Sequence, residues 1–221
     1  MNQDFSVQFW GVRGSIACPG LETQRYGGNT ACIEMWCGDR LLVFDAGTGA
    51  RPLGLSLNKK ITSPFKFDHF FSHTHWDHIA GLPFFCPAYG EGNKINVWAG
   101  HLLPESNIEA VLRQAMTAPL FPVPLDVFHA EISFHDFMGG EVFELGDGIT
   151  VRTAVLNHPN GATGYRVEFG GRAVCYVTDT EHHPGQPDEN ILGLIENADL
   201  VIYDSTYSDD EFAAYEGWGH S

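Results

Sequence analysis

The apolar positions of this chain fall into short runs separated by glycine-rich turns, a pattern typical of proteins built around β-sheets. Residues 6–11 alternate apolar and polar side chains, and residues 30–37 and 40–45 predict a hairpin. The apolar run at residues 65–71 predicts a buried strand. Further strands are predicted at residues 95–99, 132–134, 142–145, 149–156, 165–169, 172–177 and 200–207, and helices at 50–57 and 105–116. This mixture predicts an α/β (α+β) fold.

A cluster of histidines and a carboxylate directly follows the predicted buried strand, in the order H-x-H-x-D-H. Alternate side chains of an extended chain share a face, so His73, His75 and Asp77 are predicted to project together. A helix with Asp77 as its N-cap would bring His78 beside them, and Gly81 would let that helix pack closely on the sheet. A solvated histidine-rich loop would not explain this order. Four converging nitrogen and oxygen donors therefore predict a metal site.

The motif His73-x-His75-x-Asp77-His78 resembles the signature of the metallo-β-lactamase superfamily of metal-dependent hydrolases. The resemblance implies a four-layer αββα sandwich that carries one or two metal ions at the edge between its two sheets. It covers essentially the whole sequence, so we predict one domain over residues 1–221. Superfamily members continue with a helix and a strand that this sequence lacks, and the domain is therefore expected to be incomplete at its carboxyl end.

Three later residues resemble the remaining ligands of the superfamily. His158 follows the predicted strand 149–156 at the place of the third histidine, and Asp179 follows the strand 172–177 at the place of the aspartate that bridges both ions. His220 resembles the final ligand of the phosphodiesterase branch. The resemblance implies a first ion on His73, His75 and His158, and a second on Asp77, His78 and His220, with Asp179 bridging them.

Two further segments resemble parts of the superfamily's active site. The strand at residues 40–45 ends in Asp45, which resembles the aspartate that braces the metal-binding loop without binding metal. Residues 9–15 are similar to the loop that reaches the active site in the phosphodiesterase branch, which includes ribonuclease Z and small-molecule cyclic phosphodiesterases. Candidate phosphate contacts in and after this loop are Arg13, Ser15, Tyr26 and Asn29. The alternative is that Arg13 is a surface charge and the loop's glycines serve only the turn.

The implied ligand set contains no thiolate, which suits two divalent ions, with zinc expected and manganese or iron as alternatives. A hydroxide that bridges the two metals is then the expected nucleophile. Asp77, Asp204 or a residue absent from this sequence would protonate the leaving group. We therefore predict a phosphodiesterase that acts on a small nucleotide or cyclic phosphodiester. The alternatives are a thioester or lactone hydrolase, a tRNA 3′-processing endonuclease and a non-enzymatic metal-binding partner.

The charge balance constrains the partners of the chain. Its 221 residues include 12 Lys and Arg against 28 Asp and Glu, a net charge of −16. Such a surface repels polyanions, and no basic insertion is present, so we expect no extended nucleic-acid binding. The sequence shows neither a signal core nor an apolar run of membrane-spanning length, and its five cysteines lack CxxC spacing. We therefore predict a cytoplasmic protein with free thiols and no membrane partner.

The last predicted ligand, His220, stands one residue before the end of the sequence, where terminal residues fray. We therefore expect further chain after Ser221, or a second subunit as in a homodimer, to cover this edge. Without such a cover, the second metal is expected to bind weakly.

Overall fold

Two β-sheets face each other in the computed structural model, which describes residues 4–62 and 64–221. The first sheet contains, in spatial order, β1 (Phe5–Gly11), β2 (Cys32–Cys37), β3 (Arg40–Phe44), β4 (Lys66–Phe71), β5 (Lys94–Ala99) and β6 (Glu131–Asp136). The second contains β7 (Val142–Gly146), β8 (Ile149–Leu156), β9 (Ala162–Phe169), β10 (Arg172–Val177) and β11 (Leu200–Tyr203). The helices are α1 (Ala50–Lys60), α2 (Trp76–Ile79), α3 (Ile108–Ala115), α4 (Glu189–Ile195) and α5 (Asp209–Phe212).

Three apolar layers hold the sheets and helices together. The twofold period of β4 sends Phe67 and Phe71 to the outer face of the first sheet, where they share a core with Leu53 of α1. Phe70 points the other way and packs between the sheets with Tyr165 of β9. A third core joins the outer face of the second sheet to α4. This arrangement confirms the predicted αββα sandwich.

Parallel pairing brings the polar strand ends together. Strands β3, β4, β5 and β6 run parallel, so Asp45 after β3 lies beside Ser72 after β4. Strands β10 and β11 are also parallel, which places Asp179 and Asp204 at neighbouring strand ends. The functional residues of both sheets therefore collect at one edge of the sandwich.

Several predicted elements differ from the observed ones. The helix expected at residues 105–116 begins at Ile108, because Asn107 caps it by accepting a hydrogen bond from the Ala110 amide. The strand expected at 200–207 ends at Tyr203, and α4 was not predicted. All five cysteines are free, which confirms that prediction. None of the helices formed by residues 4–62 and 64–221 is both long enough and apolar enough to cross a lipid bilayer.

Candidate metal centre

The loop between β4 and α2 delivers the first group of donors. His75 takes an extended conformation as the N-cap of α2, which begins at Trp76. The predicted N-cap role of Asp77 is therefore wrong, since that residue lies inside the first turn of the helix. Close packing fixes the loop against the end of β3. A Cβ on Gly81 would lie 2.0 Å from the Gly47 carbonyl oxygen, so this approach requires glycine.

Three imidazoles meet at the first donor group. His73 Nε2 lies 3.1 Å from His75 Nδ1, and His158 Nε2 lies 3.0 Å from the same His75 nitrogen. His73 and His158 are buried, whereas His75 is partly exposed. Two nitrogens bound to one tetrahedral zinc at about 2.0–2.1 Å stand about 3.3 Å apart. The three histidines therefore fit the ligand sphere of a single ion.

The carboxylate of Asp179 lies in the middle of the histidine cluster. Its Oδ2 atom is 3.4 Å from His78 Nε2, 3.5 Å from His73 Nε2 and 3.6 Å from His158 Nε2. The fourth distance, to His220 Nε2, is 4.0 Å. Donor groups that include Asp179 are formed with His73 and His78, and with His158 and His220. One carboxylate oxygen is thus shared by histidines from both sheets.

His78 provides a second test of whether a cation fits. Among the described residues, its buried Nε2 atom makes no hydrogen bond, although Asp77 Oδ2 lies 3.3 Å away and Asp179 Oδ2 3.4 Å away. A buried nitrogen without a partner, facing two carboxylates, is a costly arrangement in a protein interior. A divalent cation between these atoms would satisfy all three. The donor set is therefore suited to metal binding.

The pKa values show strong attraction between His78 and the carboxylates around it. Burial acts to lower the pKa of His78, but the carboxylates of Asp45 and Asp179 outweigh it and raise that pKa well above its usual value. Burial acts to raise the pKa of Asp179, but His78 and His73 reverse the effect and hold it low. The surroundings therefore favour the ionised form of Asp179 and a positive charge at His78. A bound metal ion would supply positive charge at the same place.

Asp45 orients the loop between β4 and α2. It is fully buried, and its Oδ2 atom accepts hydrogen bonds of 2.8 Å from His78 Nδ1, Ser72 Oγ and Tyr176 OH. Its Oδ1 atom accepts a 2.7 Å hydrogen bond from the Ser72 amide. Because His78 uses Nδ1 to bind Asp45, its Nε2 atom is directed into the centre. The bracing role expected for Asp45 stays a prediction, and these four hydrogen bonds are the contacts that support it.

The segment that carries His220 is held firmly. Glu181 Oε2 accepts hydrogen bonds from the amides of Gly217 and Gly219, at 2.8 and 2.7 Å. The Gly219 carbonyl accepts a 2.7 Å hydrogen bond from His158 Nδ1. His220 Nδ1 lies 3.0 Å from Asp204 Oδ2, and both side chains are largely buried. The fraying expected at His220 is therefore not observed, because residues earlier in the chain hold it in place.

The predicted substrate residues lie around the N-terminal loop. The Ser15 amide donates a 2.8 Å hydrogen bond to Asp77 Oδ2, so Ser15 meets the centre through its backbone. Asn29 Oδ1 accepts a hydrogen bond from Thr48 Oγ1, and Arg13 Nε donates to the Gly27 carbonyl. The side chains of Arg13 and Asn29 thus support the loop. Tyr26 is exposed and packs under the Arg25 guanidinium.

Sequence reasoning missed several residues that support the centre. Ser72 and Tyr176 donate to Asp45, and Glu181 anchors the segment before His220. Asn160 Nδ2 lies 3.3 Å from His75 Nε2. Of these, only Glu181 carried a usable signal, since an acidic residue two positions after Asp179 lies on the same short loop. The others are defined by contacts between distant parts of the chain.

Several proteins resemble this chain in sequence or in fold. A ribonuclease Z of Lactobacillus johnsonii is 26% identical over 243 residues, covering 87% of this chain and 75% of the relative. The crystal structure of the metallo-β-lactamase fold protein YhfI from Bacillus subtilis matches with a TM-score of 0.68 and 20% identity, over 98% of this chain and 76% of that one. Human tRNase Z, short form, matches with a TM-score of 0.67 and 18% identity, over 97% and 83%.

These comparisons correct the expectation that extended nucleic-acid binding is disfavoured. A relative that matches most of this chain is a ribonuclease, and a protein of the same fold is a tRNase. The expectation was wrong because net charge averages the whole surface, whereas a nucleic acid touches only part of it. Cations bound at the centre would also dominate the local field.

The match to a protein family covers most of the chain. Residues 40–221 match the family described as beta-lactamase superfamily domain. This range contains every residue of the histidine and carboxylate cluster around Asp179. The two facing sheets and their outer helices agree with the match. The chain therefore belongs to the metallo-β-lactamase superfamily of metal-binding hydrolases.

Proposed function

We propose that this protein is a metal-dependent phosphodiesterase and that its substrate is RNA. One observation carries the reaction type: donors from both sheets meet at a single oxygen, Asp179 Oδ2, with histidines on either side. A carboxylate shared between two donor groups suits a pair of divalent ions. Pairs of this kind serve enzymes that displace groups at phosphorus. The ribonuclease Z relative supports RNA as the substrate class.

In this proposal, His73, His75 and His158 would hold one ion, and Asp77 and His78 the other, with Asp179 between them. Such ions lower the pKa of bound water and stabilise negative charge on phosphate oxygens. The donor set has no sulfur, so zinc is the expected metal, with manganese or iron as alternatives. The remaining steps, which are orientation of the phosphate and protonation of the leaving group, fall to other residues of the chain.

Asp77 and Asp204 do not fit the role of proton donor. Burial acts to raise the pKa of Asp77, but the adjacent His78 outweighs it and lowers that pKa, which suits a ligand. Both oxygens of Asp204 accept hydrogen bonds, Oδ1 from Thr206 and Oδ2 from the Thr180 amide. Asp204 also pairs with His220 Nδ1. It is therefore placed to orient that histidine.

We propose His220 as the group that holds the leaving-group proton. The hydrogen bond that His220 Nδ1 donates to Asp204 raises the pKa of His220, which favours a proton on Nε2 near the centre. Its 4.0 Å distance from Asp179 Oδ2 exceeds the 3.4–3.6 Å of the other three histidines. The alternative is that His220 binds the second metal, as the resemblance implied.

Metal content separates the two roles of His220. If it holds a proton, His220→Ala should keep the metal content of the wild type. Its kcat should then fall far more for an RNA phosphodiester than for an aryl phosphodiester, whose leaving group needs no proton. Loss of about one metal per chain in His220→Ala, measured by elemental analysis, would assign the residue as a ligand instead.

A substrate panel tests the proposed function. The zinc- or manganese-loaded protein should hydrolyse a single-stranded RNA and bis(p-nitrophenyl) phosphate, and His73→Ala should abolish both activities. Thioester and lactone substrates should remain intact. Hydrolysis of a thioester or lactone without any phosphodiester turnover would overturn the proposal.

A further inference from the structure

Two tryptophans beside the metal centre are exposed to solvent. Trp76 is 59% exposed and lies directly between His75 and Asp77 at the start of α2. Trp218 is 64% exposed and precedes His220 by two positions. One indole lies on α2, which follows β4 of the first sheet, and the other lies on the segment after the last strand of the second sheet. A single exposed apolar residue needs no explanation, but two indoles bordering one centre point to a ligand.

Both tryptophans are exposed yet held by their surroundings. Gly217 and Gly219, on either side of Trp218, are fixed by hydrogen bonds to Glu181. The Trp218 ring meets Tyr215 edge-on at 5.6 Å, and Tyr215 stacks on Tyr207 at 4.5 Å with an interplanar angle of 3°. This aromatic column reaches the centre, since Tyr207 lies 6.2 Å from the His220 ring. A ligand would therefore meet a preformed apolar surface.

The backbone around Trp76 is fixed as well. The His78 amide donates to the His75 carbonyl at 2.9 Å, and the Ala80 amide donates to the Trp76 carbonyl at 2.8 Å. The neighbouring Asp77 carboxylate is bound by the Ser15 amide. Rigid aromatic anchors lose little conformational entropy when a ligand binds.

The two indoles offer a kind of contact that does not depend on the charge of the surface. Stacking on aromatic rings contributes affinity without cations, because every nucleobase has an apolar face. Proteins recognise single-stranded RNA in this way, on bases that are not paired. Indoles next to the metal ligands would meet the bases nearest the reacting phosphate.

We infer that Trp76 and Trp218 bind unpaired nucleobases that flank the scissile phosphodiester. This inference rests on the proposed function, since it names the part of an RNA substrate that the site holds. Affinity then depends on the bases as well as on the phosphates. The indoles touch substrate without taking part in proton transfer.

Binding without catalysis provides the first test. Fluorescence anisotropy would measure the Kd of a labelled RNA trinucleotide with hydrolysis-resistant phosphorothioate linkages for the metal-loaded full chain. A trinucleotide with abasic positions carries the same phosphates and should bind about tenfold more weakly. Trp76→Leu and Trp218→Leu should each weaken binding of the intact RNA about tenfold, since leucine is apolar but has no aromatic face. Equal Kd values for the intact and abasic RNA would overturn the inference.

Conservative and control variants separate stacking from structural damage. Trp76→Phe and Trp218→Phe keep an aromatic face and should recover most of the lost affinity. Leu55→Ala removes a side chain that is 45% exposed on α1 and should leave Kd unchanged. Thermal melting should show that all variants fold. If the phenylalanine variants bind as weakly as the leucine variants, stacking is not the interaction.

Failure of the stacking inference can be distinguished from failure of the proposed function. If the metal-loaded wild type hydrolyses no phosphodiester, the proposed function is wrong and the inference falls with it. If it hydrolyses RNA while KM is the same for the wild type and both leucine variants, the stacking role alone is wrong. The expected result is a KM raised about tenfold in the leucine variants.

Discussion

Replacing Asp45 by asparagine tests how the centre is held. The substitution keeps the shape of the side chain but removes its charge and one acceptor. Three donors meet Oδ2 at 2.8 Å, and the Ser72 amide meets Oδ1 at 2.7 Å. If the asparagine oxygen takes the Oδ2 position, its NH2 group faces the Ser72 amide and that donor loses its partner. If it takes the Oδ1 position, His78 must move its proton to Nε2, where a metal would bind.

Either orientation has a measurable cost. An unpaired buried donor costs about 1–3 kcal/mol, and each neutralised charge-assisted hydrogen bond costs about 1 kcal/mol more. Three neutralised bonds and one unpaired amide together should make metal-free Asp45→Asn less stable by about 4–6 kcal/mol, which lowers Tm by roughly 8–24 °C for a chain of this size. Misorientation of His78 should also weaken zinc binding about 10- to 100-fold. Calorimetry would measure the first effect and chelator competition the second.

Asp68 offers a matched control for this experiment. It is equally buried in the first sheet, where it accepts hydrogen bonds from Arg40, Asn96 and Trp98. Asp68→Asn should therefore lower Tm but leave zinc affinity within about twofold. If Asp45→Asn binds zinc as tightly as the wild type, or if both variants lose affinity equally, our account of Asp45 is refuted.

Three further predictions address the centre, the packing and the thiols. Asp179→Ala should lower metal content at both donor groups, because one oxygen serves both, and elemental analysis showing two retained ions would contradict this. Gly81→Ala should destabilise the fold by about 1–3 kcal/mol through backbone overlap, whereas Gly193→Ala, with open space at its Cβ, should raise Tm slightly. Equal melting temperatures would refute that distinction. Burial raises the pKa of Cys37 to about 12, so iodoacetamide at pH 8 should label exposed Cys18 and spare Cys37 until the chain is denatured, as mass spectrometry would show. Fast labelling of Cys37 in the folded protein would be the contrary result.

Local patterns predicted much of the centre because they depend on neighbours in the chain. The alternation in β4 separates Phe67 from Phe70, and the same extended backbone carries on to His73. The prediction that Asp77 caps α2 failed for a reason outside that pattern. Its carboxylate is bound by the Ser15 amide, 62 residues earlier in the chain, and His75 is left to cap the helix.

Roles that depend on tertiary contacts could not be predicted in the same way. Asp204 lies beside His220 because β11 pairs parallel with β10, and a sequence pattern alone does not determine such pairing. The fixed position of His220 depends on Glu181, which is 38 residues from the Gly219 amide that it binds. The sequence also does not show how charge is distributed near the site. The net charge of −16 therefore led to the wrong expectation that nucleic-acid binding is disfavoured.

The shared histidine cluster has a consequence for unfolding. His75 and His158 are 83 residues apart in the sequence and belong to different sheets, yet their ring nitrogens lie 3.0 Å apart. An ion bound by both would act as a cross-link, much as a disulfide does. In the chain-entropy treatment, closing a loop of this length raises the free energy of the unfolded chain by about 4–5 kcal/mol. The metal would then stabilise the contact between the two sheets. A chelator would lower the free energy of unfolding as well as abolish activity.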